Sequence, residues 1–160
     1  MKLPRWLLIG LWTSSVLAVL AAAGWWWVTW PERTACRFLD CLAARNFDEA
    51  DEMMIPVPRE SATVYRPPSE LGQREGPRLE WRFEWHRPSL RTKARTWSDV
   101  FAARGSFVFP AVPAEARNEA RLEVERGRVK FADLDFQAIN RGIADHDIVE
   151  TVRIWLGKNQ

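Results

Sequence analysis

The chain has 160 residues and a formal net charge of +2. All 21 acidic residues follow Trp30, and of the 23 basic residues only Lys2 and Arg5 precede it, so the part after Trp30 is neutral. That balance leaves no electrostatic footprint for nucleic acid, and the roughly 130 residues beyond Trp30 suffice for one domain with a small core.

A short basic tail, residues 1–6, opens the chain, and no charged residue lies between Trp6 and Trp30. The 23 residues from Leu7 to Thr29 would rise roughly 35 Å as a helix, enough to cross a bilayer core. Trp6 stands at one end and Trp25, Trp26, Trp27 and Trp30 at the other, where indole rings suit the headgroup zone. Residues 7–30 are therefore read as a transmembrane helix acting as a signal anchor. Ala21-Ala22-Ala23 offers the alternative of a cleavage site, with Leu7–Leu20 as the apolar region of a signal peptide and a secreted soluble domain as the product. Against cleavage, the mature chain would begin by exposing four tryptophans to water. Lys2, Arg5 and the amino terminus precede the span, while Arg33, Arg37 and Arg45 follow it, offset by Glu32 and Asp40. A short basic tail before one span favours a cytoplasmic tail, a cell-membrane location and an extracytoplasmic domain.

Pro31 disfavours helical geometry at Trp30, so the span is predicted to stop or kink there. A separate helix follows from Glu32 to Ala44, its apolar face built from Ala35, Phe38, Leu39, Leu42 and Ala43, and Arg45-Asn46 ends it. Cys36 and Cys41 would point about 140° apart on that helix, beyond disulfide reach, and are read as small helix residues; an intermolecular bridge is the alternative. Asp48 is placed to cap a short helix, Glu49–Met54. Residues 55–78 carry Pro56, Pro58, Pro67, Pro68, Gly72, Gly76 and Pro77 and read as a loop, with a short strand near Thr63–Tyr65.

From Leu79 to His86 the pattern alternates: Leu79, Trp81, Phe83 and Trp85 on one face, Glu80, Arg82, Glu84 and His86 on the other. A turn near Arg87-Pro88 leads to a second predicted strand, Thr92–Arg104, and a third, Ser106–Phe109, closed by Pro110 and Pro113. Glu119–Arg126 and Arg128–Phe136 flank Gly127 as a hairpin, with a bulge expected near Ala132-Asp133 to bring Val129, Phe131, Leu134 and Phe136 into phase. The chain is expected to end in a helix. Asp147 and Glu150 have capping-box spacing, Ile148, Val152, Trp155 and Leu156 form the apolar face, Gly157 stops it and Lys158 suits its negative end.

Helices followed by a run of antiparallel strands make the domain, residues 31–160, α+β. The stretch Arg37-Phe38-Leu39-Asp40-Cys41-Leu42-Ala43-Ala44-Arg45-Asn46-Phe47-Asp48-Glu49-Ala50 resembles the opening of nuclear transport factor 2-like domains. Glu125-Arg126-Gly127-Arg128-Val129-Lys130-Phe131 resembles a late hairpin of that superfamily. Together they cover about 20 residues. The resemblance implies a curved sheet wrapped around the first domain helix as a cone that can hold a pocket; the expected terminal helix departs from it. Members with one N-terminal span occur among bacterial envelope assembly proteins.

Enzymes of that superfamily place Asp, His or Tyr inside the cone, where burial shifts the pKa for acid–base work. Here Tyr65, the one tyrosine, falls in the proline-rich loop, His86 on a polar strand phase, and His146 between Asp145 and Asp147 at an expected helix start. Asp99 would share a strand face with Trp97, Phe101 and Ala103, so it is the candidate buried acid. Asp133 and Asp135 are read as solvating a strand end. The histidine spacing gives no metal-ligand pattern, and there is no phosphate-cradling glycine loop, Gly-x-Ser-x-Gly or Cys/His nucleophile pair. No catalytic, cofactor or metal residue is assigned. Arg87, Arg91, Lys93 and Arg95 lie in an acid-free stretch between Trp85 and Ser98, which suits anionic headgroups or, with less support, single-stranded nucleic acid; the plain reading is a solvated hairpin whose tryptophans point inward. The resulting expectation is a single-pass membrane protein with a non-enzymatic interaction or small-ligand-binding module at the membrane surface. Its partners would be the bilayer through residues 7–30 and another envelope protein. The alternatives are a tethered cone enzyme using Asp99 as general acid/base and a secreted domain cleaved near Ala23.

Overall fold

A computed structural model describes residues 4–56, 67–73, 76, 78–85, 87–110, 119–143 and 146–157. A single 39-residue helix, α1 (Arg5–Ala43), dominates it. At 1.5 Å per residue α1 is about 58 Å long. Its apolar part is long and apolar enough to cross a membrane, and its most apolar stretch is not buried against the rest of the chain. The polar side chains in this part are satisfied within the helix. Thr13, Ser14 and Ser15 donate to the carbonyls of Ile9, Gly10 and Leu11 at 3.0, 2.8 and 2.9 Å, so no hydroxyl needs an outside partner.

α1 runs through Pro31, which the sequence reading placed at a break. Proline removes the N–H that would serve the Trp27 carbonyl. The helix persists because Pro31 is fully buried against Gly105 of the sheet, where a Cβ would come within 3.0 Å of the proline ring. Beyond Pro31 the helix carries the domain's core stripe of Ala35, Phe38, Leu39 and Leu42, with Cys41 buried beside it; Ala43 is exposed instead. Both cysteines are free. Arg45 ends the helix by adopting φ +62°, and Asn46, not Asp48, caps α2 (Phe47–Glu52) by accepting from the Glu49 N–H. A third helix, α3 (Pro68–Gln73), lies inside the predicted 55–78 loop: Pro68 starts it and Leu71 is fully buried. The expected strand near Thr63–Tyr65 lies outside the described residues.

Six strands form one curved antiparallel sheet: β1 (Leu79–Arg82), β2 (Arg91–Thr92), β3 (Arg104–Pro110), β4 (Glu119–Glu125), β5 (Arg128–Ile143) and β6 (His146–Gly157). The order is β1-β5-β4-β3-β2, with β6 along the other edge of β5. The long β5 is the hub, meeting β4 near its start and β1 near its end. The inner face of the sheet meets α1, and Phe38, Phe107, Phe136, Leu122, Leu134 and Leu156 fill the interval; each such side chain contributes about 1.5–3 kcal/mol by burial. In the first strand region the apolar phase points inward as the alternation implied: Trp81 and Phe83 are buried, and Leu79 and Trp85 pack on the core.

Three expectations are corrected. The second strand is only Arg91–Thr92, because Trp97–Phe101 is a short helix, α4. Thr96 and Asp99 form a reciprocal capping box that starts it, and Trp97 and Phe101, spaced i and i+4, fit a helix as well as a strand. The bulge falls at Lys130, since Val124 pairs with Val129 and Glu123 with Phe131. Val129 and Phe131 therefore lie on opposite faces of the sheet rather than sharing one, and both are buried. Finally, the C-terminal helix is absent: residues 146–157 form β6, paired with β5 over most of its length. Ile148, Val149, Thr151, Val152 and Ile154 are β-branched, and Val152, Ile154 and Leu156 alternate inward opposite Phe136, Leu134 and Ala132. Gly157 closes that strand at φ +80°, where a Cβ would strike the Lys130 carbonyl.

Candidate functional site

The features that point outward gather where α1 leaves its exposed half and enters the domain. Trp25, Trp26 and Trp27 are exposed there, and Trp30 lies against Gly127 of the β4–β5 turn. Gly127 has φ +74°, and a Cβ there would come within 2.6 Å of the Trp30 ring, so only glycine fits both the turn and the indole. Trp27 and Trp30 meet edge to face at 5.4 Å.

Two arginines close this level of the helix. Arg33 lies 3.5 Å over the Trp26 ring and donates to the Trp26 carbonyl at 2.7 Å. Arg95, from the segment before α4, donates to the Val28 carbonyl at 2.8 Å. These carbonyls flank that of Trp27, whose helical donor Pro31 cannot supply. The Trp27 indole N–H in turn donates to the Val100 carbonyl of α4 at 2.8 Å. Residues 95–101 are thereby pinned to the helix at the level of Trp27 and Val28. The remaining Arg95 nitrogens, Nε and one terminal nitrogen, are buried without a hydrogen-bond partner among the described residues.

A groove of about 870 Å³ opens on one side of this collar, between α1 and the segment around Arg87. Trp25, Trp26, Arg33, Cys36, Arg87 and Leu90 line it. Arg87 reaches Asp40 at 3.2 Å. Burial pushes the Cys36 thiol above its ordinary range, against the pull of Arg87. On the outer face of the sheet a second, smaller hollow of about 300 Å³ brings Lys93, Arg95, Asp99, Arg104, Glu123 and Lys130 together.

Asp99 is not a buried acid on an aromatic strand face. Its carboxylate accepts from the Thr96 hydroxyl at 2.6 Å and the Thr96 N–H at 2.9 Å as the return half of the cap. Those bonds from Thr96 hold it below the usual carboxylate range, the opposite of what a general acid near neutral pH needs. Asp133 sits mid-strand rather than at a solvated end. It is buried, and Arg153 grips both its oxygens, with Nε at 2.6 Å from Oδ1. Next to it, Asp135 is raised by burial, with Arg153 opposing and the Asp133 charge adding to the rise. Tyr65, His86 and the side chain of His146 lie outside the described residues. Among the described residues no three His, Cys, Asp or Glu side chains converge as a metal site.

The sequence reading located the tryptophan belt and the basic stretch but joined them to no common site. Trp97, expected to point inward, is among the most exposed rings of the described residues, whereas Trp85 at the other end of the basic stretch packs on the core. The Thr96-x-x-Asp99 spacing was the available signal for α4. No family model, curated protein or solved structure matches the chain.

Proposed function

We propose that this is a single-pass membrane protein, held by an uncleaved signal anchor at residues 7–30, whose α+β domain is a non-enzymatic interaction module at the membrane surface. One observation carries the reading. The same helix is exposed over its apolar half and buried as the core helix of the domain over its other half. A segment cut away near Ala23 would leave that core helix prefixed by exposed tryptophans. Lys2 and Arg5 ahead of the apolar run favour a cytoplasmic amino-terminal side and an extracytoplasmic domain in a bacterial cell membrane. The nuclear transport factor 2-like resemblance is supported by a curved sheet packed on the helix that bears Phe38, Leu39 and Leu42. The interior of that sheet is filled by aromatic and aliphatic side chains, which favours presentation of an outer surface to another envelope protein over turnover of a substrate inside.

The test is crosslinking in intact membranes followed by purification in mild detergent. We expect one envelope protein recovered in fixed ratio with this chain, and its loss when the collar groove is altered by Arg87→Glu and Leu90→Glu together. Recovery of the chain alone, together with turnover of a small molecule by the purified protein, would contradict the interaction reading.

A further inference from the structure

We infer that α4 is a second membrane contact, through which the domain lies on the bilayer surface instead of standing off it. This rests on α1 being the anchor. Trp97 and Phe101 are one turn apart on α4, and 80% and 77% exposed, in a domain whose remaining large aromatic side chains mostly pack inward. Their position along α1 decides what they face. Twenty apolar residues match a hydrocarbon core of about 30 Å, so a span beginning at Leu7 reaches the boundary at about Trp26. Val100 is hydrogen-bonded to the Trp27 indole, and Arg95 to the Val28 carbonyl. α4 is thus fastened at the boundary, beside Trp25, Trp26 and Trp27. Successive helix residues turn by 100°, so those three rings cover part of the circumference, and Trp97 and Phe101 extend the girdle from the domain side.

The occupant is lipid rather than protein because the charge beside the aromatics suits headgroups. Arg91 and Lys93 are exposed, belong to a stretch of sequence without acids, and make no ion pair among the described residues; Lys93 lines the outer hollow with Glu123 and with Asp99, whose carboxylate is engaged by Thr96. An aromatic pair inserted at the acyl boundary with cations at headgroup level is the arrangement of an interfacial anchor.

The test uses the full chain in phosphatidylcholine vesicles whose acyl chains are brominated near the headgroup. The difference in tryptophan emission between the unaltered protein and Trp97→Phe isolates Trp97. We expect bromolipid to quench that component at least twofold and aqueous iodide to leave it unchanged. Phe101→Trp, placed in the Trp97→Phe chain, should restore a lipid-quenched component. Adding phosphatidylglycerol should deepen the quenching, and Arg91→Ser with Lys93→Ser should remove that increase. Quenching by iodide and not by bromolipid would overturn the docking while leaving the anchor, provided the Trp25–Trp27 emission is still lipid-quenched. Protection from both quenchers would mean that protein, such as a second copy, covers α4, and would also overturn it. Loss of all lipid quenching, with the chain stripped from vesicles by alkaline carbonate, would overturn anchor and docking together.

Discussion

Arg153 is the residue on which the outer face of the sheet depends. It holds the buried Asp133 carboxylate with two parallel N–H donors, and the bonds to Asp133 raise its own pKa further above the ordinary guanidinium range. Arg153→Ala would leave that carboxylate buried and unpaired, so we expect a loss of about 3 kcal/mol, measured as a lowered denaturant midpoint in detergent. The Thr96–Asp99 cap gives a pH dependence whose sign is fixed. The Asp99 carboxyl is lowered in the folded chain, so its contribution is fully present above the ordinary aspartate pKa and is lost as pH falls through the lower folded value. We expect amide exchange in α4, corrected for intrinsic rate, to accelerate across that acidic window, and Asp99→Asn to show the faster exchange already at neutral pH. The Asp133–Arg153 pairing is not legible in the sequence, and the Thr96–Asp99 spacing is present there but obscured. Asp133 and Arg153 are 20 positions apart and meet only through the β5–β6 register. Thr96 and Asp99 are close, but the alternation of Trp97, Asp99 and Phe101 masked their spacing.

At the scale of elements, the Thr96–Asp99 spacing is a cap and the Asp147–Glu150 spacing is not. Asp147–Glu150 suggested the terminal helix, yet those residues lie in β6. Ile148, Val152, Trp155 and Leu156 fit a helical stripe, while Val152, Ile154 and Leu156 fit a strand, and pairing with β5 decides between them. The two readings differ sharply at adjacent residues. Leu156 is fully buried against the core, and Trp155 faces outward and is 46% exposed. Leu156→Ala should cost about 3 kcal/mol and Trp155→Ala less than about 1, by chemical denaturation. Equal losses would contradict the strand. The hairpin around Gly127 and the strand at Leu79 were legible because their alternation and turn residues are local. The lengths of β5 and β6 were not, because each depends on the other.

For the whole molecule, the consequence of α1 is that the apolar run and the domain's core segment share one helix with no linker between them. The charge-free run was plain from composition alone. The collar was not, since it joins Trp27 to Val100 and Val28 to Arg95 across some 70 residues of chain. Those contacts set the domain at the end of the apolar run and turn α4 toward the level where headgroups would lie. The account therefore stands on residues 1–23 remaining with the domain. The direct measurement is the intact mass of the protein recovered from carbonate-washed membranes. We expect it in the pellet with residues 1–23 retained; a carbonate-soluble species shortened near Ala23 would contradict the account.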